Sequence, residues 1–211
     1  MLFADRIETL LSLSLHDLLE PKVRRAIEEA LDRGETHYTD RPGILPLRQA
    51  VAASLRRRFA LDVTDVIITC GVTEARFIAI QQVLQPGETI CAPAYAERIN
   101  GAAVLRRVQV TQGAGNALYL NSSMGESSLR DFPGWILYEV DEEQSGFHPA
   151  QLAGREKRTF TLGSIGAPSL RVGYLAAPAS FSPGLRDFKQ ALTICTTNLS
   201  QWAALAGMET E

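Results

Sequence analysis

Lysine is scarce in this 211-residue chain: Lys22, Lys157 and Lys189 are the only three among 21 basic residues. An amine nucleophile therefore has few places to come from. The three cysteines, Cys70, Cys91 and Cys195, are odd in number and far apart, which argues against a disulfide framework and reads as reduced, buried thiols of a cytoplasmic protein. A large excess of charge of one sign is missing too. A formal net charge of −3, mixed along the chain, leaves no electrostatic footprint for nucleic acid or an anionic membrane. No apolar run approaches the roughly 20 residues that span a bilayer. Asp5, Glu8 and Asp17 interrupt the apolar N-terminal segment, so it has neither the basic start nor the clean apolar centre of a secretion signal and reads as part of the mature fold. No residue is assigned to a metal.

What the chain does contain is an ordinary soluble composition, 45% hydrophobic and 21% charged, enough for one domain with a sizeable core. Val23, Ala26, Ile27, Ala30 and Leu31 recur at helical spacing up to Gly34, and a second helix is expected from Pro46 to Arg58. Asp65 to Cys70 reads as a buried strand ending at Gly71. A helix, closed by Pro86-Gly87, and a strand over Thr89 to Pro93 follow, so the order is that of a βαβ unit in a parallel sheet. Further strands are expected at Val104 to Val110, Leu118 to Asn121, Trp135 to Asp141, Thr159 to Leu162 and Val172 to Ala176. Leu185 to Met208 reads as helical with a break near Thr196 to Asn198. The segment between Val110 and Leu118 is too short for a parallel crossover, so that pair is expected either to be antiparallel or to have one member outside the main sheet.

Chemistry is suggested at a few points. Gly71-Val72-Thr73 lies where a strand gives way to a helix, a place where free amides, the helix dipole and a hydroxyl suit a phosphate; taken alone it is also an ordinary capped turn. Arg171 follows a turn at the start of a strand, and its guanidinium suits bidentate phosphate contact or a structural ion pair. Asp141 ends a strand, where ligands of parallel sheets sit, beside the acids Glu142 and Glu143. Tyr95 offers an aromatic face for stacking or for the core. His148, in a loop, reads as solvated, the alternative being a substitute base.

Several segments in order carry a resemblance. THYTDRPGILPLRQAVA is similar to a Tyr-x-x-x-x-Gly-x-x-x-Leu-Arg-x-Ala motif, VIITCGVTEA to a phosphate-cupping strand-to-helix turn, PGETICAPAYAERI to Pro-Gly-Asp-x-Val-x-x-Pro-x-Tyr, and ILYEVDEEQSGF to Asp-Glu-x-Tyr-x-x-Phe. TFTLGSIGAPSLRVGYLAAP resembles the segment that runs S-x-S-K and then Gly-x-x-x-Leu-Arg-x-Gly-Tyr. Together they resemble the fold-type I pyridoxal-phosphate-dependent aminotransferases (class I/II) over nearly the whole chain. The resemblance implies a three-layer α/β/α domain with a mainly parallel sheet, like that family's large domain, over residues 1–211, with 1–35 as N-terminal segment and helix. It implies pyridoxal phosphate contacts from Gly71, Val72, Thr73, Tyr95, Asn121, Asp141, Ser164 and Arg171, with Asp141 facing the pyridine nitrogen and Tyr38 reaching the phosphate of a neighbouring subunit's site. A homodimer, or a heterodimer with a complete aminotransferase, is implied with it.

The departures bear on the chemistry. Ser164 leads directly into Ile165 to Tyr174, so the short block that would hold the Schiff-base lysine reads as deleted. Gln144 stands where the family has a tyrosine, Asn121 to Gly125 replaces an Asn-Pro-Thr-Gly motif, and the C-terminal small domain reads as absent. Lys157 and Lys189 fall outside the expected place. The expectation is a degenerate aminotransferase-like protein with a binding, scaffold or regulatory role, its pocket retaining a small phosphate-bearing ligand or non-covalent pyridoxal phosphate. The alternative is an enzyme that uses the cofactor or its amine form non-covalently, or runs lysine-independent chemistry in the same pocket.

Overall fold

The computed structural model describes residues 19–121, 129, 132–141 and 143–208. The N-terminal residues 1–18, the segment from Ser122 to Gly125 and Glu142 lie outside that set. In chain order the elements are α1 (Pro21–Asp32), α2 (Leu45–Phe59), β1 (Val66–Thr69), α3 (Gly71–Val83), β2 (Thr89–Cys91), α4 (Asn100–Arg106), β3 (Gln109–Thr111), β4 (Ala117–Asn121), β5 (Trp135–Val140), β6 (Thr159–Ile165), β7 (Val172–Ala176), α5 (Ser182–Thr193) and α6 (Asn198–Met208). The seven strands form one sheet in the order β1-β7-β6-β5-β4-β2-β3. β7 alone runs against its neighbours; the other pairings are parallel.

Alternation along each strand sends side chains to opposite faces and so builds two cores. On one face Val66, Ile68, Leu118, Leu120, Ile136, Tyr138, Val172 and Tyr174 pack on Leu47, Val51, Leu55 and Phe59 of α2, with Ala204 of α6 beside them. On the other, Ile67, Tyr119, Leu137, Phe160, Leu162 and Leu175 pack on Ala75, Ile78, Ala79 and Val83 of α3, with Ala103 of α4 and Leu185 of α5. The result is the three-layer α/β/α arrangement expected from the sequence. The near-continuous apolar strands are those of a sheet covered on both sides. No helix of the described residues is long and apolar enough to cross a membrane.

Two expectations are corrected. The strand read from Val104 to Val110 is divided: Val104 to Arg106 end α4, and only Gln109–Thr111 enters the sheet. Val104 and Leu105 are apolar but exposed, so their character reflects no buried strand position. The short link between β3 and β4 required neither an antiparallel pair nor a strand outside the sheet, because β2 lies between them and both run parallel to it. The chain leaves β3 at the level of Cys91 and enters β4 at the level of Ile90, so it only steps sideways over β2 and never returns along a strand. Gly115 makes this possible: a Cβ there would sit 2.8 Å from the Cys91 amide nitrogen.

The thiols are free, as read, but only Cys91 is buried; Cys70 and Cys195 are partly exposed. His148 is also corrected. It is fully buried between the rings of Phe59 and Tyr138, at 5.3 and 4.7 Å. Its Nδ1 accepts the Ala150 N–H at 3.1 Å, which places the proton on Nε2, 3.2 Å from the Thr161 hydroxyl. Burial pushes its pKa down to about 3. An unfolded chain takes up a proton at this histidine near pH 6.5 and the folded one does not until about pH 3, so the contribution of His148 to stability is constant above that window and falls as pH drops through it. We expect urea unfolding to lose up to about 1.4 kcal/mol per pH unit between about pH 6 and pH 4, with this slope reduced in His148→Asn, which keeps a capping acceptor but does not titrate.

Candidate ligand site at the carboxyl edge of the sheet

Because β1, β2, β4, β5 and β6 point the same way, their carboxyl ends share one edge with the start of the reversed β7. Most of the residues singled out in the sequence lie along that edge. Asn121 ends β4 and pairs across with Glu139; Asp141 follows β5; Ser164 lies near the end of β6, opposite Gly173; Arg171 precedes β7. Counting by twos from Tyr119 and Leu162 puts Asn121 and Ser164 on the α3 face, and Asp141 and Arg171 lie one residue beyond the ends of β5 and β7. The N-terminus of α3 opens onto the same place.

That helix starts abruptly because Gly71 adopts φ +75°, which side-chain-bearing residues rarely do. Glu74 Oε2 accepts the Cys70 N–H at 2.6 Å and closes the turn. The amides of Gly71, Val72 and Thr73 find no acceptor among the described residues, and the Thr73 side chain is exposed. A Cβ on Gly173 would come within 2.6 Å of Gly71 C and Val72 N, so β7 presses directly on the start of α3. The Arg171 backbone lies next to Gly71, in the left-handed region at φ 50°, and its exposed side chain makes no ion pair among the described residues. Free amides and a hydroxyl thus meet at a helix N-terminus beside the backbone of Arg171, an arrangement fit for a phosphate.

Asn121 is buried, and its Nδ2 lies 3.4 Å from Asp141 Oδ1. The Asp141 side chain is exposed, while its backbone carbonyl is held by the Gln144 N–H and by Arg58 Nη2; Arg58 Nε also donates to the Gln144 carbonyl at 2.7 Å. Gln144, the departure from a tyrosine, donates from Nε2 to the Tyr138 hydroxyl at 2.8 Å. Burial raises the Tyr138 pKa, and the nearby Asp141 charge adds to it against the Gln144 hydrogen bond, so the phenol stays neutral. Tyr95 follows β2 in the left-handed region, with 41% of its surface exposed. Tyr38 stands apart on the loop before α2, 74% exposed.

Every lysine has a place in the structure, and each place is accounted for. Lys22, on α1, reaches Glu20 and the Gly207 carbonyl. Lys157 precedes the amino end of β6, at the opposite edge of the sheet. Lys189, set aside in the sequence as part of a later helix, lies behind the glycine turn: its ammonium is fully buried, 2.7 Å from Glu74 Oε2, 2.6 Å from the Thr193 hydroxyl and 3.8 Å from Cys70 Sγ. Between Ser164 and Arg171 the chain finishes β6, makes one turn over Pro168–Leu170 and enters β7, with no amine in it. The residues therefore fit the phosphate and ring nitrogen of pyridoxal phosphate and do not fit its covalent attachment.

One feature of the site was missed in the sequence. Glu139, 5% exposed, accepts from Arg76 Nε and Nη2 at 2.6 Å each, from Arg98 Nη1 at 3.2 Å and from the Tyr119 hydroxyl at 2.7 Å. Burial disfavours the Arg76 charge, but Glu139 outweighs this and raises its pKa; burial and Glu139 together raise that of Tyr119. The signal was present as a glutamate inside the apolar run Trp135 to Val140 and an arginine inside the apolar helix after Gly71.

A mainly parallel sheet with a phosphate-suited helix start and an acid at its carboxyl edge defines the large-domain architecture of fold-type I transferases. The particular family follows from the comparisons: residues 9–114 match the family model "Aminotransferase class I and II", and the chain belongs to that family. It is 30% identical over 240 residues to the arginine–pyruvate transaminase AruH of Pseudomonas aeruginosa, covering 92% of this chain and 61% of that one. It is 36% identical over 95 residues to an aspartate aminotransferase of Pyrococcus horikoshii, covering 43% and 24%. Among solved structures, an aromatic aminotransferase from Pyrococcus horikoshii superposes with a TM-score of 0.80 at 19% identity, over 91% of this chain and 64% of that one. N-succinyldiaminopimelate aminotransferase from Mycobacterium tuberculosis gives 0.77 at 22%, over 90% and 63%. The chain thus spans less than two thirds of the length of these relatives.

Proposed function

We propose that this protein is an aminotransferase-like binding protein that holds pyridoxal phosphate, its amine form or a similar phosphate-bearing molecule without a covalent bond, in a scaffold or regulatory role in place of transamination. The observation that supports this reading is that the start of α3 and Asp141 share the carboxyl edge of the sheet, while Lys22 and Lys189 are engaged with other groups and Lys157 lies at the opposite edge. In this reading the amides of Gly71 to Thr73, the hydroxyls of Thr73 and Ser164, and Arg171 take the phosphate. Tyr95 covers one face of the ring, Asp141 faces its nitrogen, and Asn121 orients Asp141. When bound, the cofactor supplies a ring that can withdraw electrons from an attached carbon. The chain supplies no amine there to carry a proton to or from that carbon, and His148 is buried and neutral under the α2 side of the sheet. Lysine-independent chemistry in the same pocket is the second reading, favoured by the Asp141 and Asn121 contact. Association as a homodimer, or with a complete aminotransferase, belongs to the same proposal, with the exposed Tyr38 available to a neighbouring subunit.

The test is to titrate the protein with pyridoxal phosphate, treat it with borohydride and measure its intact mass. We expect a saturable change in the ligand's absorption, weakened at least about tenfold in Arg171→Ala, and no stoichiometric mass gain. A stoichiometric gain on a lysine, or no saturable binding, would overturn the proposal. Turnover of an amino acid with the bound ligand would move the assignment to the second reading.

A further inference from the structure

Tyr95 and Arg98 begin and end a single 3₁₀ turn: the Arg98 N–H donates to the Tyr95 carbonyl at 3.0 Å, and side chains three residues apart on such a turn eclipse. The Arg98 guanidinium therefore lies over the Tyr95 ring, 4.3 Å from its centroid. Nη1 of the same guanidinium donates to Glu139, whose carboxylate is already gripped by Arg76 and Tyr119. Tyr95 itself would be poorly held without this. It is two-fifths exposed, its backbone is in the left-handed region at φ 58°, and among the described residues its other tether is the turn itself.

We infer that Arg98 is a positioning residue for ring binding. It covers one face of Tyr95, fixes the ring's orientation through the buried anchor Glu139, and leaves the opposite face for a planar heteroaromatic ligand. This deepens the proposed function and rests on that reading of the pocket. The partition of labour is specific: Gly71 to Thr73 and Arg171 recognise phosphate whatever is attached to it, whereas the Arg98-Tyr95 pair recognises the ring. Two arginines against one carboxylate also leave one positive charge in excess beneath Tyr95, which favours an electron-rich face of the phenol toward the cation and strengthens the clamp.

The experiment uses two probes on the full chain: pyridoxine 5′-phosphate, which has no aldehyde and cannot bond to a lysine, and inorganic phosphate. Arg98→Met should weaken pyridoxine 5′-phosphate about five- to tenfold and change inorganic phosphate by less than about twofold. In a Tyr95→Ala background the same change should cost less than about twofold, because a residue that acts through Tyr95 has nothing left to position. Arg98→Lys, which keeps a cation over the ring, should recover part of the loss, and it serves as the test variant if Arg98→Met does not fold. An undiminished effect of Arg98→Met in the Tyr95→Ala background, an equal loss for both probes, or no loss for either would overturn the inference while leaving the pocket reading intact. Failure of the wild type to bind pyridoxine 5′-phosphate would overturn both.

Discussion

Glu139→Leu is expected to lower the unfolding free energy by about 3–5 kcal/mol in urea denaturation. The leucine fits a strand otherwise made of apolar residues, so the loss does not come from strand propensity or volume. It comes from the partners. Arg76 is largely buried against Glu139, and Tyr119 is fully buried with its hydroxyl on the same carboxylate. Removing the acid leaves a guanidinium and a phenol in the α3 core with no acceptor, and that desolvation is what the experiment measures. Glu139→Leu combined with Arg76→Leu should recover most of the loss, since replacing both buried partners by apolar groups removes the uncompensated charge together with its counterion. If the double variant is no more stable than the single one, the penalty lies outside the Arg76 pair. Arg98 is a third of the way to solvent and can turn outward, so it should contribute less to stability than to the orientation of Tyr95.

Lys189→Met is the second large effect, again about 3–5 kcal/mol of stability by the same logic. Methionine matches the length and flexibility of the stem. What it lacks is the ammonium that compensates Glu74, and Glu74 is 7% exposed at its side chain. Glu74 also holds the Cys70 N–H and accepts the Thr193 hydroxyl, so it ties the start of α3 to the end of α5. A second measurement separates this role from a covalent one. Lys189→Met with Glu74→Gln should regain stability, because a neutral amide can still accept the Cys70 N–H, and it should bind pyridoxal phosphate as the wild type does. Loss of ligand binding in a double variant that folds normally would mean that Lys189 belongs to the pocket, and the view of it as a structural lysine would be wrong.

The order of elements was readable because each rests on a local pattern. Val23, Ala26, Ile27 and Ala30 mark α1 by helical spacing, Pro46 marks the first turn of α2, and Gly71 marks the boundary of β1 and α3. Val104 to Val110 misled because exposed apolar residues on a short helix look like a buried strand when only neighbours in sequence are compared. The β3 to β4 link misled because crossover length was judged without knowing that β2 would lie between the two strands. His148 looked solvated for a related reason: a loop residue is buried only if distant rings close over it, and Phe59 is far from it in sequence.

The site divides along the same line. The absence of an amine between Ser164 and Arg171, the glycine that opens α3, and the acid that ends β5 are properties of composition and order, and they stand whatever the packing. Family membership is legible in the sequence as well, since the motifs that carry it occur in order and need no coordinates to be recognised. Where the remaining charged groups go is different. Lys189 and Glu74 are separated by more than a hundred residues, and so are Arg186 and Asp65, while Glu139 collects donors from α3, β4 and the turn after β2. Such pairings depend on which side chains the sheet order and its two faces bring to the same buried volume, where an unpaired charge is too costly to persist. Local spacing carries no record of that volume, so the scarcity of lysine was legible from the chain alone, while the pairing of Lys22 and Lys189 with groups distant in sequence and the place of Lys157 at the opposite edge of the sheet were decided only by the fold.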